Sequence, residues 1–126
     1  MMLQLIMAFQ IKHLIVDFFL QTKYQYSNKG KFMHPGGLLH SALHGISTII
    51  VLQFFFLLEI SILLGILDVV LHYAIDYSKT NITNKYKWCH RENGKLVITS
   101  NLYFVSMGID QFLHQLTYAI IIYIAI

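Results

Sequence analysis

His13 and Asp17, His40 and His44, His72 and Asp76, and Asp110 and His114 form four pairs of metal-ligand side chains, each pair spaced four residues apart. On a helix that spacing puts both members on one face. Asp68 precedes His72 by the same interval and lengthens the third pair. Imidazole and carboxylate together bind divalent transition metals, and ions held this way activate water and clamp phosphoryl or acyl oxygens. All four pairs lie inside apolar stretches. Ionisable groups in membrane spans are costly, so they usually serve a function and face a partner or a cavity. Four such faces turned inward would make a single His/Asp chamber.

The elements that must position these pairs are long apolar segments. The chain has 126 residues, 56% hydrophobic and 12% charged. The charged share is about half the roughly 25% usual for soluble domains. This excludes an ordinary soluble fold and indicates one integral membrane domain over residues 1–126. A span needs about 20 residues of helix. The expected fold is all-α: a four-transmembrane-helix bundle with spans near residues 2–22, 38–58, 60–77 and 102–125. The apolar run from Leu38 to Tyr77 is too long for one span and fits two, with a turn near Leu57–Ser61. Pro35-Gly36-Gly37 punctuates the entry to the second span and places its start at Leu38. In the connecting region 78–101, Glu92-Asn93-Gly94 between β-prone runs signals a small hairpin. The first stretch has no basic leader region and no small-residue cleavage site, so it reads as a retained span.

Charge sets the expected orientation. Eight of the nine Lys and Arg lie in two loops, with Lys23, Lys29 and Lys31 in one and Lys79, Lys85, Lys87, Arg91 and Lys95 in the other. Basic short loops stay in the cytoplasm. Both termini should then face outward from the cell (inner) membrane, with the hairpin inside. Counted from the cytoplasmic ends at about 1.5 Å per residue, Asp17, His40, His44, His72 and Asp76 fall within about two turns. His13 and Asp110 lie slightly deeper and His114 deepest. That shared depth points to one site open to the cytoplasm.

The expected metal ligands are therefore His13, Asp17, His40, His44, His72, Asp76, Asp110 and His114. Gln21, Asp68 and Gln111 extend the same faces and could orient ligands from behind. One or two divalent transition ions are expected, zinc first, with manganese, iron or nickel as alternatives. Cys89 is the sole cysteine, which excludes a thiolate site and an intramolecular disulfide. Lys12 lies about 100° around its helix from His13 and need not join the site. Lys79 reads as a headgroup-reaching lysine. His34 reads as a lid residue or a solvated one, and Trp88 as an interfacial anchor. Polar residues in bundles also serve as interhelical hydrogen-bond glue, and His–Asp chains can relay protons.

The combined pattern His13-x-x-x-Asp17-Phe18-x-x-Gln21, Leu39-His40-x-x-x-His44, His72-x-x-x-Asp76-x-x-Lys79 and Asp110-Gln111-x-x-His114 resembles an uncharacterised family of small bacterial and phage membrane proteins. The polar layout is also similar, by distant analogy, to membrane-bound metal-dependent hydrolases. That likeness implies a hydrolase acting on a lipid or lipid-linked phosphate, with its general base unassigned. The alternatives are a small proton or metal-ion transporter and a non-catalytic membrane accessory protein. The expected partner is membrane lipid, drawn by the basic loops. A homo-oligomer is left open, and nucleic acid is not expected.

Overall fold

The computed structural model describes residues 1–126. The elements run α1 (Met2–Leu14), a π-helical segment (Ile15–Phe19), α2 (Lys23–Tyr26), α3 (Pro35–Gln53), α4 (Leu58–Lys85), β1 (Cys89–Glu92), β2 (Lys95–Ile98) and α5 (Leu102–Ala125). The four long helical segments pack side by side, with α3 on α4, α4 on α5, and α1 against both α3 and α5. Three of them are long and apolar enough to cross a membrane: Met2–Phe19, Pro35–Gln53 and Leu58–Lys85. α5 has the length, at 24 residues. Asp110, Gln111, His114 and Gln115 dilute its apolar content.

The packing is inverted relative to a water-soluble protein. The buried set is dominated by polar side chains such as Lys12, His40, His44, Asp68 and His72, while Phe18, Phe19, Leu63, Val70 and Phe112 are exposed. Apolar side chains outside and polar ones inside suit a lipid solvent, where polar groups must find partners within the protein. One end of the bundle is closed by an apolar cluster of Leu5, Phe9, Leu52, Leu64, Tyr118, Ile121 and Ile122.

Several boundaries differ from the sequence expectation. The first helical stretch stops at Phe19 instead of residue 22, because Thr22 starts α2 with a reciprocal capping box to Gln25. α3 begins at Pro35 instead of Leu38. Proline at the first helical position lacks only an amide that has no intrahelical acceptor there. His34 then caps the helix, its Nδ1 accepting from the Gly36 amide at 3.0 Å. α3 ends at Gln53 instead of residue 58, and α4 starts at Leu58 instead of residue 60, so the turn falls at residues 54–57, ahead of the expected Leu57–Ser61.

The largest departure is α4, which continues to Lys85 where a span ending at residue 77 was expected. Its last two turns are polar and serve as a docking surface for the segment between α1 and α3. Asn81 donates to the Gly30 carbonyl at 3.0 Å, and further back along α4 the Tyr73 hydroxyl accepts from the Met33 amide at 2.8 Å. These tertiary contacts offset the weak helix propensity of Thr80, Asn81, Thr83 and Asn84.

The hairpin forms as expected, with Glu92 opposite Lys95 across the turn. Asn93 and Gly94 carry φ of 50° and 79°. Two successive left-handed residues are what the tight two-residue hairpin turn requires.

Candidate metal centre

The centre is assembled by a close crossing of α3 and α4. A Cβ added to Gly45 would lie 2.7 Å from the Gly65 carbonyl oxygen and against Val69, and one added to Gly65 would lie 2.9 Å from the Gly45 carbonyl. Only glycine lets the two backbones approach this far. The approach lays the His44 ring on the His72 ring, with centroids 3.5 Å apart, and His114 stacks on the other face of His72 at 4.1 Å. Three imidazoles stacked this closely cannot all carry charge without strong repulsion.

Two carboxylates hold the ring edges together. Asp17 Oδ1 lies 3.1 Å from both His40 Nε2 and His44 Nε2, and Asp17 Oδ2 lies 3.0 Å from His13 Nε2. Asp76 Oδ2 lies 3.4 Å from His40 Nε2 and from His72 Nε2, and its Oδ1 is 3.5 Å from His114 Nε2. His40 and His72 bring their Nε2 atoms to 3.1 Å. The π-helical segment helps to aim Asp17. Such segments are rare and concentrate at functional sites.

Two groups could hold an ion, Asp17 with His40, His44 and His72, and His72 with Asp76 and His114. Ligand atoms about 2.0–2.2 Å from a tetrahedral ion sit roughly 3.3–3.6 Å from each other. The closest separations here, 3.1–3.5 Å, fall at or just below that edge length, and all ligand atoms of each group lie within 4.8 Å of one another. His72 belongs to both groups, but a ring nitrogen has one lone pair and serves one ion at a time. The arrangement therefore admits one four-ligand ion or two ions with three ligands each. The second option leaves an open position at each, as hydrolytic sites require.

The remaining expected residues are placed as follows. His13 and Asp110 fall outside both groups. His13 grips the far oxygen of Asp17 and meets Gln111 Oε1 at 3.0 Å and the Tyr118 hydroxyl at 2.8 Å. Asp110 Oδ1 lies 3.6 Å from His114 Nε2 and has no hydrogen-bond partner. Gln21 donates to the Asp17 backbone carbonyl at 2.8 Å and does not reach the imidazoles.

Asp68 is turned to a separate partner. Its Oδ2 accepts from Lys12 Nζ at 2.6 Å and from the Thr48 hydroxyl. Lys12 thus lies outside both ligand groups but in the buried interior, and its Nζ also donates to the His44 carbonyl at 3.2 Å. It lies 4.5 Å from the centre of the Tyr118 ring, a cation–π contact. The sequence carried a signal for this pair. Lys12 is the one basic residue outside the two loops, and Asp68 is an acid in an apolar helix with no Lys or Arg within a turn of it.

Two further residues were not foreseen. Lys29, from the segment between α1 and α3, reaches Asp76 Oδ2 at 2.9 Å. Tyr118 places its hydroxyl between His13 Nδ1 and His44 Nδ1, the latter at 3.4 Å. The outward-facing Nδ1 atoms of His40, His72 and His114 have no partner. These three rings lack the oxygen acceptor that commonly anchors a metal-bound histidine.

The chain belongs to a family described as "Protein of unknown function (DUF3307)", which matches residues 5–126. No curated protein and no solved structure matches the chain.

Proposed function

We propose that the protein is a membrane metalloenzyme that hydrolyses a phosphate ester carried by a lipid or lipid-linked substrate. The observation behind this reading is the pair of carboxylates, Asp17 and Asp76, each surrounded by converging Nε2 atoms at ligand-to-ligand spacing. Asp17, His40 and His44 would hold one ion, and His72, Asp76 and His114 the other. Zinc fits this donor set first, with manganese, iron or nickel as alternatives. Divalent ions held there supply an activated water and positive charge against a phosphoryl group. His13 fixes the Asp17 carboxylate. Asp110, at the edge beside His114, is the group we assign to proton transfer.

In this reading α5 is the fourth span and both termini lie outside the inner membrane. The hairpin and the segment between α1 and α3 then face the cytoplasm with eight of the nine basic residues. Asn93→Cys in a Cys89→Ser background should stay unlabelled by a membrane-impermeant maleimide in intact cells. Labelling from outside would reverse the orientation.

A proton or metal-ion conduit is the second reading. It draws on the hydrogen-bonded chain from Tyr118 through His13 and Asp17 to His40. The apolar cluster that closes the other end of the bundle leaves this chain no polar exit, which favours the hydrolase. Metal content decides between a metal centre and polar packing alone. Protein purified in mild detergent should carry about one to two transition ions per chain, and Asp17→Asn should lower that number. Protein that arrives metal-free, and whose thermal stability ignores added zinc and manganese, would refute the centre.

A further inference from the structure

Beside the centre, on the hairpin side, lies a polar cavity of about 410 Å³. Lys29, Lys79, His90 and Arg91 line it, and no Asp or Glu does. Lys79 and Arg91 form no ion pair with any carboxylate, although Arg91 rests over the Tyr26 ring at 4.9 Å and donates to the Gly94 carbonyl at 3.3 Å. Lys29 touches both regions, because it lines the cavity and pairs with Asp76 of the centre. Lys79 and Arg91 thus bring to the cavity positive charge that no carboxylate of the protein offsets, which favours an anion there.

An independent feature points to the same ligand. Thr83 lines this cavity and is 4% exposed, yet its Oγ1 has no hydrogen-bond partner. Helical threonines ordinarily bond back to a carbonyl one turn earlier, and a buried hydroxyl left unpaired is costly. A hydroxyl beside unpaired lysine and arginine suits a phosphate oxygen.

A second cavity of about 380 Å³ shares Lys79 and runs between α4 and α5. Its walls are apolar, with Ile75, Ile82, Trp88, Val105 and Ile109, and Asp110 is its one acid. A cationic polar cavity and an apolar groove that meet at one lysine match an anionic amphiphile.

We infer that the polar cavity binds the phosphate head of a membrane phospholipid of the phosphomonoester class, with its chain in the α4–α5 groove. This deepens the hydrolase reading above, and rests on it only for the claim that the bound lipid is a substrate. The head lies beside the His72–Asp76–His114 group, and the chain passes Asp110.

Trp88 is the only tryptophan and lines the groove, so its fluorescence reports occupancy directly. Full-length protein in detergent is titrated with dioctanoyl phosphatidate, dioctanoyl phosphatidylcholine and inorganic phosphate. The phosphatidate should give a saturable Trp88 change at least roughly tenfold tighter than the choline lipid, as expected for losing a charge-assisted contact. Inorganic phosphate should bind more weakly still and leave Trp88 unchanged. The double variant Lys79→Gln/Arg91→Gln should weaken phosphatidate binding by about tenfold or more, and the near-isosteric Thr83→Val by less. Equal binding of the two lipids, phosphate binding as tightly as phosphatidate, or variants that bind like wild type would each overturn the assignment. Metal content of the same samples keeps the two claims apart. Metal-free protein that still binds phosphatidate through Lys79 and Arg91 removes the hydrolase and keeps the lipid site. Metal-loaded protein indifferent to phosphatidate removes the lipid site alone.

Discussion

Asp68 and Asp76 lie on the same face of α4, two turns apart, yet their surroundings are opposite. Asp68 is fully buried and meets a lysine that is itself buried, with a threonine hydroxyl on the same oxygen. Asp76 meets three imidazole edges, from His40, His72 and His114, and its one lysine, Lys29, comes from the surface segment. Imidazole nitrogens are metal ligands as well as hydrogen-bond partners. The first carboxylate is already neutralised by the protein. The second, like Asp17, sits among groups that prefer to share a metal ion. Residue type and helical spacing are alike in the two cases, so the partner brought from the neighbouring helix decides the role.

The sharpest way to break this comparison is to remove Lys12. Lys12→Met leaves the Asp68 charge uncompensated in a dry interior, which should cost about 3–5 kcal/mol. The double variant Lys12→Met/Asp68→Leu removes both charges and should recover to near wild-type stability. Thermal melting in detergent measures both, and metal content should survive in the double variant. If Lys12→Met is as stable as wild type, Asp68 is not held by Lys12. If the double variant loses its metal, the ion pair is part of the centre, and Asp68 and Asp76 do not have separate roles.

What the sequence revealed and what it hid follow one physical boundary. Spacing within a helix is fixed by its period, so the pairs at 13 and 17, 40 and 44, 72 and 76, and 110 and 114 are visible as shared faces. The hairpin is visible because Asn93-Gly94 favours the backbone its turn needs. Which face meets which is set by the Gly45–Gly65 crossing and the π-helical turn at Asp17. The crossing leaves a faint mark in Ser41-x-x-x-Gly45 and Ser61-x-x-x-Gly65, a small-residue spacing that suits close helix contact without naming the partner, and the π-helical turn leaves none. The angle of Lys12 around α1 separates it from His13, but only the packing shows that its partner is Asp68 of another helix. In the sequence Lys29 is one of three loop lysines, because the fold of the segment between α1 and α3 depends on the extension of α4 beyond residue 77. The apolar stretches signalled membrane helices readily. α5 was the hardest to classify, since the residues that make it interesting also lower its apolar content.

The smallest effect expected sharpens the same distinction at the edge of the centre. Gln111 Oε1 meets the His13 Nε2 that also meets Asp17 Oδ2. If this contact is only interhelical glue, Gln111→Ala should lower metal-free stability by about 0.6 kcal/mol and leave metal affinity alone. If the chain from Gln111 through His13 to Asp17 positions a ligand, affinity should also fall, by roughly tenfold, the lower end for a group that orients a ligand. The low end applies because Gln111 acts through two contacts, and Asp17 keeps its bonds to His40 and His44. Zinc titration of metal-stripped wild type and variant, with melting curves in chelator, separates the two contributions. A variant with unchanged zinc affinity and a small stability loss places His13 with Lys12 and Asp68, among the residues that hold the bundle together. A tenfold weaker zinc affinity with the same small stability loss places it with Asp17 and Asp76.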